Sequence, residues 1–167
     1  MLFRFHIVLV DPEIPQNTGN IARTCASTGT ELILCGRLGF SLEDKYLRRA
    51  GMDYMRGVDM KVYPDLDALF SERDVRRFLL ATKKARTRYD RVRYTGDEYL
   101  VFGCESRGLN EELIREHWDK CVRIPMNEGF RSLNLAVSAA VILYEALRQS
   151  DFASLCDHTG RDQNVFG

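Results

Sequence analysis

The stretch Ile124–Ser150 constrains the fold of this chain more than any other, because it joins a polar loop to a long apolar helix. Pro125 has no N–H to give to a sheet and disfavours helix in the residue before it, so a short strand is expected to end at Ile124. Gly129 permits a bend in the loop, and Ser132 is expected to cap the following helix. The segment from Leu133 to Arg148 contains neither Gly nor Pro, which predicts one uninterrupted helix.

The predicted terminal helix is apolar or small on nearly every face. One stripe comprises Leu133, Val137, Ala140, Tyr144 and Leu147, and another comprises Leu135, Ala139, Ile142 and Ala146. A helix that is apolar all round is buried on more than one side. We therefore expect one face to cover the sheet of its own subunit and another to form a homodimer. A fully buried core helix of a monomer would show the same pattern.

Predicted strands and helices alternate along the chain, which is typical of an α/β fold with a mainly parallel sheet flanked by helices. The pattern predicts strands at 3–10, 31–35, 61–63, 77–82, 99–103 and 121–124, and helices at 20–28 (beginning at Gly19 or Asn20), 46–50, 65–71, 111–117 and 133–148. A length of 167 residues suits one domain with a proper core, which we place at residues 1–150. Residues 151–167 are predicted to form a mobile polar tail.

Composition and charge exclude several classes of protein. The 24 basic residues balance the 24 acidic ones, so no net field favours nucleic acid or a membrane. The five cysteines show neither CxxC nor zinc-ligand spacing, and the three histidines lie in no triad pattern, so we expect reduced thiols and no metal. The N-terminus becomes polar too soon for a signal peptide, and no apolar run reaches about 18 residues. A soluble cytoplasmic protein is the expectation.

Polar side chains follow the first predicted strand: Glu13, Asn17, Asn20 and Arg23. The last three are spaced by three residues, so those that lie on the helix share a face. Ligands bind beyond the carboxyl ends of parallel strands, and two amides with a guanidinium are suited to hold a phosphate or a ribose there. An Asx-capped helix with a solvated arginine is the alternative interpretation.

Two later loops also carry small or polar residues beside predicted strand ends. In FGCESRGLN (102–110), Gly103 and Gly108 allow the backbone to approach a ligand closely. The turn is not GxGxxG, and no acidic residue lies at the position where a dinucleotide ribose would require one, which argues against a nicotinamide enzyme. The loop before the last helix places polar side chains at a helix N-terminus, where backbone N–H groups bind small polar ligands. They are Asn127, Glu128, Arg131, Ser132 and Asn134.

Basic residues are clustered although the chain is neutral overall. The segment KKARTRYDRVRY (83–94) interleaves tyrosines with cations and includes Lys83 and Lys84. This pattern suits a phosphate backbone with a stacked base, although a solvated loop would have the same composition. A smaller group consists of Lys45, Arg48 and Arg49.

Three segments in order resemble the motifs of the SPOUT-class RNA methyltransferases: Asn17–Thr24, Phe102–Leu109 and Ile124–Gln149. The resemblance extends over nearly all of 3–149, including KYLRRAGMDY (45–54), and is closest to the short single-domain family that 2′-O-methylates the wobble ribose of tRNAs. It implies a C-terminal trefoil knot, S-adenosylmethionine as the donor with S-adenosylhomocysteine as product, and a homodimer. The tRNA anticodon stem-loop is the implied partner.

The resemblance also implies roles for individual residues. The methyl donor would be lined by Leu80, Gly103, Ile124, Met126, Ser132 and Leu133. Asn20, Arg23 and Tyr144 would serve catalysis beside the acceptor ribose, with Glu105 and Asn134 also binding it, and no metal would be required. The residue patterns described above add Glu13, Asn17, Lys83 and Lys84 as expected substrate-binding residues. A guanidinium stays protonated in proteins, so Arg23 is expected to stabilise a developing alkoxide rather than to act as the base.

The sequence departs from the family pattern at a few positions. Asn110 stands where relatives usually have proline, and Ala136 and Val137 stand where they often have polar residues. Two other functions keep the same motifs: ribose methylation at another tRNA or rRNA site, and RNA binding by a non-catalytic dimer. The intact residues Asn20, Arg23 and Ser132 weigh against the second.

Overall fold

A seven-stranded parallel sheet forms the centre of the computed structural model, which describes residues 4–42, 57–153 and 155–156. Its strands are β1 (His6–Val10), β2 (Glu31–Cys35), β3 (Met60–Tyr63), β4 (Phe78–Ala81), β5 (Thr87–Arg88), β6 (Tyr99–Phe102) and β7 (Cys121–Arg123). They lie in the order β3-β2-β1-β6-β4-β7-β5, and every neighbouring pair is parallel. The predicted α/β fold with a parallel sheet is therefore confirmed.

Four α-helices connect these strands in the described residues. They are α1 (Pro15–Thr28), α2 (Leu66–Glu72), α3 (Glu111–Glu116) and α4 (Leu135–Gln149), with 3-10 turns at Val75–Arg77, Tyr89–Arg91 and Trp118–Lys120. The helix predicted at 46–50, the family match at 45–54 and most of the predicted tail lie outside the described residues.

The first helix begins earlier than its predicted start at Gly19 or Asn20. Pro15 occupies the first turn of α1, where its missing N–H costs nothing and its fixed φ suits the helix. The predicted start is therefore wrong, because Pro15 begins the helix and does not end a loop before it. The end was predicted correctly: Gly29 adopts φ +67° and donates its N–H to the Cys25 carbonyl.

The last helix is capped by Asn134 and not by Ser132, so the predicted cap was wrong. The Asn134 side chain accepts hydrogen bonds from the N–H groups of Ala136 and Val137, at 2.8 and 3.3 Å. An asparagine is as good a cap as a serine, and the sequence offers both two residues apart. The loop between β7 and the last helix therefore extends from Ile124 to Asn134, two residues further than predicted, and it contains no helix.

The basic segment 83–94 contains a short strand that the sequence pattern does not indicate. Thr87 and Arg88 of β5 pair with Val122 and Arg123 of β7 at the edge of the sheet. Both β5 residues are exposed and polar, so no apolar alternation marks the strand.

Helices cover both faces of the sheet. On one face α1 and α4 pack together over β1 and β6, with Ile21, Cys25 and Leu143 fully buried. Each such aliphatic side chain contributes about 1.5–3 kcal/mol by leaving water. On the other face Leu69 of α2 and Ile114 of α3 are buried. Because the strands are parallel, the loops after β1, β4, β6 and β7 all emerge at one edge, the carboxyl edge.

The opposite, amino edge of the sheet carries a cluster of charged groups, defined by His6, Glu31, Lys61, Arg73, Arg77 and Asp97. The buried His6 ring lies between two carboxylates, with Nδ1 2.5 Å from Glu31 and Nε2 3.0 Å from Asp97. Glu31 also pairs with Lys61 and Arg73, and Asp97 with Arg77. The rings of His6, Tyr99 and Phe78 stack in sequence beneath these groups. We refer to the six charged residues as the amino-edge cluster.

Candidate active site

A cavity of about 740 Å³ opens at the carboxyl edge between the ends of β4, β6 and β7 and the start of α4. All the residues predicted to bind the methyl donor except Leu80 line it: Gly103, Ile124, Met126, Ser132 and Leu133. Leu80 is instead buried in the core, and the cavity wall begins at its neighbours Ala81 and Thr82. Three segments distant in sequence thus converge on one cavity, as the resemblance implies.

The turn 103–109 that forms one wall is closed on itself. A Cβ on Gly103 would lie 2.0 Å from the Gly108 carbonyl carbon and 2.2 Å from the Leu109 nitrogen, so only glycine fits. Gly108 has φ +75° and donates its N–H to the Cys104 carbonyl at 2.9 Å. Asn110 then caps α3 by accepting from the Glu112 N–H, a hydrogen bond that a proline could not make.

Hydrogen bonds between carboxylates and amides join this turn to the loop after β1. The Glu105 carboxylate accepts from the backbone N–H groups of Glu13 and Ile14, at 2.8 and 3.2 Å, and from the Asn17 amide at 3.0 Å. In the other direction, the Glu13 carboxylate accepts from the Ser106 N–H and hydroxyl, at 2.9 and 2.8 Å. The Ser106 hydroxyl, then its N–H, and the nearby Arg107 charge lower the pKa of Glu13, which is therefore ionised at neutral pH.

The same set of bonds reaches the last helix. The Asn17 side-chain oxygen accepts from the Asn134 amide at 2.9 Å, and Asn134 caps α4. Residues predicted to bind substrate (Glu13, Asn17, Glu105 and Asn134) are thus bonded to one another. Together with Ser106 they form what we call the carboxylate network, which encloses one side of the cavity.

The predicted catalytic residues lie outside this cavity. Asn20 and Arg23 are exposed on α1, and Tyr144 is 47% exposed on α4. Tyr144 continues a stripe of exposed apolar side chains that includes Leu133 and Val137, which is 49% exposed. The structure therefore brings together the predicted donor residues other than Leu80, but within the chain it does not bring the predicted catalytic residues to them.

The basic residues next to the cavity differ in their pairing. Lys84 forms an ion pair with Glu111 at the start of α3, whereas Lys83 is exposed at the cavity wall and has no ion-pair partner among the described residues. Arg88 pairs with Asp90 at 2.6 Å. Of the two lysines predicted to bind RNA, Lys83 is therefore the better placed for a phosphate. Lys45, Arg48 and Arg49 lie outside the described residues.

The sequence reasoning missed the role of Ser106 and several cavity residues. Ser106 lies 93 residues from Glu13 in sequence, so no local pattern connects them. Thr82, Arg107 and Glu111 also line the cavity. Their position next to a recognised motif was the only available signal.

The described parts of the chain hold no group of three or more side chains placed to bind a metal ion. Among the same residues, no helix has the length and apolar character needed to cross a membrane.

The fold and the ordered cavity motifs match a known class of enzyme: residues 4–144 fit the SpoU rRNA Methylase family, and this chain belongs to that family. A tRNA (cytidine(34)-2′-O)-methyltransferase of Methylovorus glucosotrophus (strain SIP3-4) is 50% identical over 151 residues, covering 89% of this chain and 97% of that protein. A solved structure described as giving insights into the 2-OH methylation of C/U34 on tRNA is also similar to this chain. Its TM-score is 0.85 and its sequence is 40% identical, covering 90% of this chain and 98% of that one. The SpoU methyltransferase AviRb of Streptomyces viridochromogenes, solved with AdoMet, has a TM-score of 0.79 and 25% identity, covering 91% of this chain and 63% of that one.

Proposed function

We propose that this protein transfers a methyl group from S-adenosylmethionine to the 2′-hydroxyl of the wobble ribose, cytidine or uridine 34, in tRNA anticodon loops. The observation that carries the proposal is the carboxyl-edge cavity, which is lined by residues from all three segments that resemble methyltransferase motifs, in a chain of the SpoU methylase family. The nucleotide follows the relatives, whose descriptions name cytidine 34 or C/U34 of tRNA.

The residues of the cavity fit S-adenosylmethionine. A volume of about 740 Å³ lies within the range of small-molecule sites. Ile124, Met126 and Leu133 provide apolar walls for an adenine ring, and Ser132 with the exposed backbone of the loop provides polar contacts. When bound, the cofactor supplies an electrophilic methyl group on a sulfonium.

The protein's contribution to the reaction is alignment and electrostatics. The loops around the cavity hold donor and acceptor in line, so that a bimolecular step becomes effectively intramolecular. Asn20 and Arg23 bind the acceptor nucleotide, and the Arg23 guanidinium stabilises the alkoxide that develops as the 2′-hydroxyl loses its proton. Tyr144 completes the acceptor side.

In this proposal the active site is shared between two subunits. The exposed apolar stripe of α4 is buried in a homodimer, which brings Arg23 or Tyr144 of one subunit to the donor cavity of the other. The support is the exposure of Val137 and Tyr144 and the absence of Arg23 and Tyr144 from the cavity lining.

The proposal has two further parts. The chain from 124 onwards is threaded in a trefoil knot. The protein works in the cytoplasm, where its tRNA substrate is found.

Two inactive variants test the shared site, Arg23→Ala and Ser132→Trp, each folded and dimeric alone. In a mixed dimer, one centre carries both changes and the other carries neither, so mixing after dissociation restores about a quarter of wild-type activity if exchange is random. If each site is built within one chain, every centre keeps one lesion and activity stays at the level of the parents. Absence of recovery despite proven exchange would reject the shared site.

Transfer to defined RNA tests the function itself. Purified protein with labelled S-adenosylmethionine is expected to methylate tRNA, and mass mapping is expected to place the methyl group on ribose 34. A tRNA carrying 2′-deoxyribose at that position is the matched control and is expected to accept nothing. Methylation elsewhere would reassign the target to another tRNA or rRNA ribose. Calorimetry that detects no donor binding by folded protein would leave only the RNA-binding dimer.

A further inference from the structure

We propose that Glu13 and Ser106 are a positioning pair, which fixes the acceptor-side helix α1 against the donor cavity during methyl transfer. The inference rests on the proposed function and deepens it. Neither residue is required to touch the donor or the ribose; the pair acts through the bonds that join their two loops.

The start of α1 has no cap of its own. Its N-cap residue is Ile14, whose side chain cannot accept a hydrogen bond, and no side-chain cap bond is present. Glu105, on another loop, instead holds the two residues that precede the helix, by accepting from the backbone N–H groups of Glu13 and Ile14. A carboxylate also interacts favourably with the positive end of the helix dipole. The direction in which α1 leaves the sheet therefore depends on the turn that walls the donor cavity.

Glu13 and Ser106 make this dependence reciprocal. Glu105 reaches from the turn to the β1–α1 loop, and Glu13 reaches from that loop back to the turn, where Ser106 donates both its N–H and its hydroxyl. Opposed bonds to the two carboxylates resist sliding in either direction, and hydrogen bonds to a carboxylate are stronger than bonds between neutral groups. Removing the Glu13 side chain leaves Glu105 bonded but lets the two loops shift.

The position of the pair gives that shift a kinetic consequence. Asn17 follows Ile14 by one helical turn, and the proposed acceptor residues Asn20 and Arg23 follow on the same helix. Gly103, Ser132 and the other donor residues lie instead in the turn after β6 and in the chain between β7 and α4. A small rotation of α1 thus displaces the acceptor groups from the methyl donor while the donor cavity stays intact, and such misplacement is costly in the chemical step.

The expected signature is a loss of turnover without a loss of donor affinity. Glu13→Ala is expected to lower kcat about tenfold, and Ser106→Ala, which keeps the Ser106 N–H bond, about threefold. The dissociation constant for S-adenosylmethionine is expected to stay within about twofold of wild type in both variants. Ser106→Thr restores the hydroxyl and is expected to recover turnover. The matched control is Ser71→Ala, since the Ser71 hydroxyl bonds only the Ala68 carbonyl on α2, away from the cavity.

A second measurement does not depend on activity. Hydrogen exchange at the N–H groups of Asn17 and Thr18, which donate to the Ile14 carbonyl, is expected to quicken in Glu13→Ala but not in Ser71→Ala. If wild-type protein transfers no methyl group, the proposed function fails, and this readout still tests the pair. Unchanged exchange at α1 with unchanged turnover overturns the inference. So does a fall in donor affinity proportional to the fall in kcat, because the pair would then shape the donor cavity itself.

Discussion

The two edges of the sheet both concentrate acidic residues, yet the surroundings of those residues differ. At the amino edge, Glu31 and Asp97 face the cationic partners of the amino-edge cluster, and stacked aromatic rings fill the space beneath. At the carboxyl edge, Glu13 and Glu105 accept from backbone and side-chain N–H and O–H groups, and a cavity lies beside them. Charge neutralised by charge in a packed site stabilises the fold. Charge held by amide groups of two loops leaves those loops positioned around a ligand.

The pKa values follow the same division. Burial alone would raise the pKa of Glu31, but hydrogen bonds from His6 and Lys61 and the charges of His6 and Arg73 outweigh it and hold that pKa at about 2. The pKa of Glu13 is lowered mainly by the Ser106 hydroxyl and N–H. Of these two pKa shifts, only that of Glu31 depends on a histidine and two cations.

The largest expected effect comes from disrupting the turn 103–109 at the carboxyl edge. Gly103→Ala places a Cβ inside the Gly108–Leu109 backbone, so the turn must open and S-adenosylmethionine binding is expected to be lost. Calorimetry on folded protein measures the loss. The control is Gly29→Ala: Gly29 has φ +67° but nothing within 4 Å of its Cβ, so the expected cost is about 1 kcal/mol of stability with donor binding unchanged. Full donor binding by Gly103→Ala would show that this turn does not wall the donor site.

A pair of matched substitutions tests the contrast between the edges directly. Glu31→Gln leaves His6, Lys61 and Arg73 without their shared carboxylate, and is expected to cost about 3 kcal/mol of unfolding free energy. Glu105→Gln keeps one acceptor at the carboxyl edge, and is expected to cost about 1 kcal/mol while lowering methyl transfer at least about tenfold. Urea unfolding and turnover are measured on both variants. A reversed order, with activity lost at Glu31 and stability lost at Glu105, would break the distinction.

Much of this arrangement follows from the sequence, because it depends on local pattern. Runs of β-favouring residues, five of them ended by Pro or Gly, located six of the strands within a few residues, and three ordered motifs located the donor cavity. The cap at Asn134 and the start of α1 at Pro15 were missed where two neighbouring signals compete. The Glu13–Ser106 bonds were missed because nothing local links residues 93 positions apart. Strand β5 was missed because a two-residue exposed edge strand buries no side chain that could mark it.

The pH dependence of stability separates the edges further. Glu31 has a folded pKa of about 2, below its ordinary value of 4.5, so its ionised form stabilises the fold at neutral pH. That contribution is fully present above about pH 4.5 and is lost as pH falls from there toward 2. Urea unfolding between pH 2 and 6 is expected to show the decline in wild type and a flatter profile in Glu31→Gln. Equal slopes in both proteins would mean that the cluster contributes no proton-linked stability.

The smallest expected effect concerns the salt dependence of tRNA binding at each edge, which depends on whether a lysine is already in an ion pair. Lys83 is exposed at the cavity and has no ion-pair partner among the described residues. Lys84 is paired with Glu111. At the amino edge, Lys61 is paired with Glu31. A free cation releases one counterion per phosphate it binds, so Lys83→Ala is expected to reduce the slope of log affinity against log salt by about one unit. Lys84→Ala is expected to reduce it less, since the Glu111 carboxylate already neutralises that ammonium group. Lys61→Ala is the control, and tRNA binding measured at several salt concentrations is expected to keep its slope. If Lys61→Ala reduces the slope and Lys83→Ala does not, the RNA binds at the amino edge and not at the carboxyl edge.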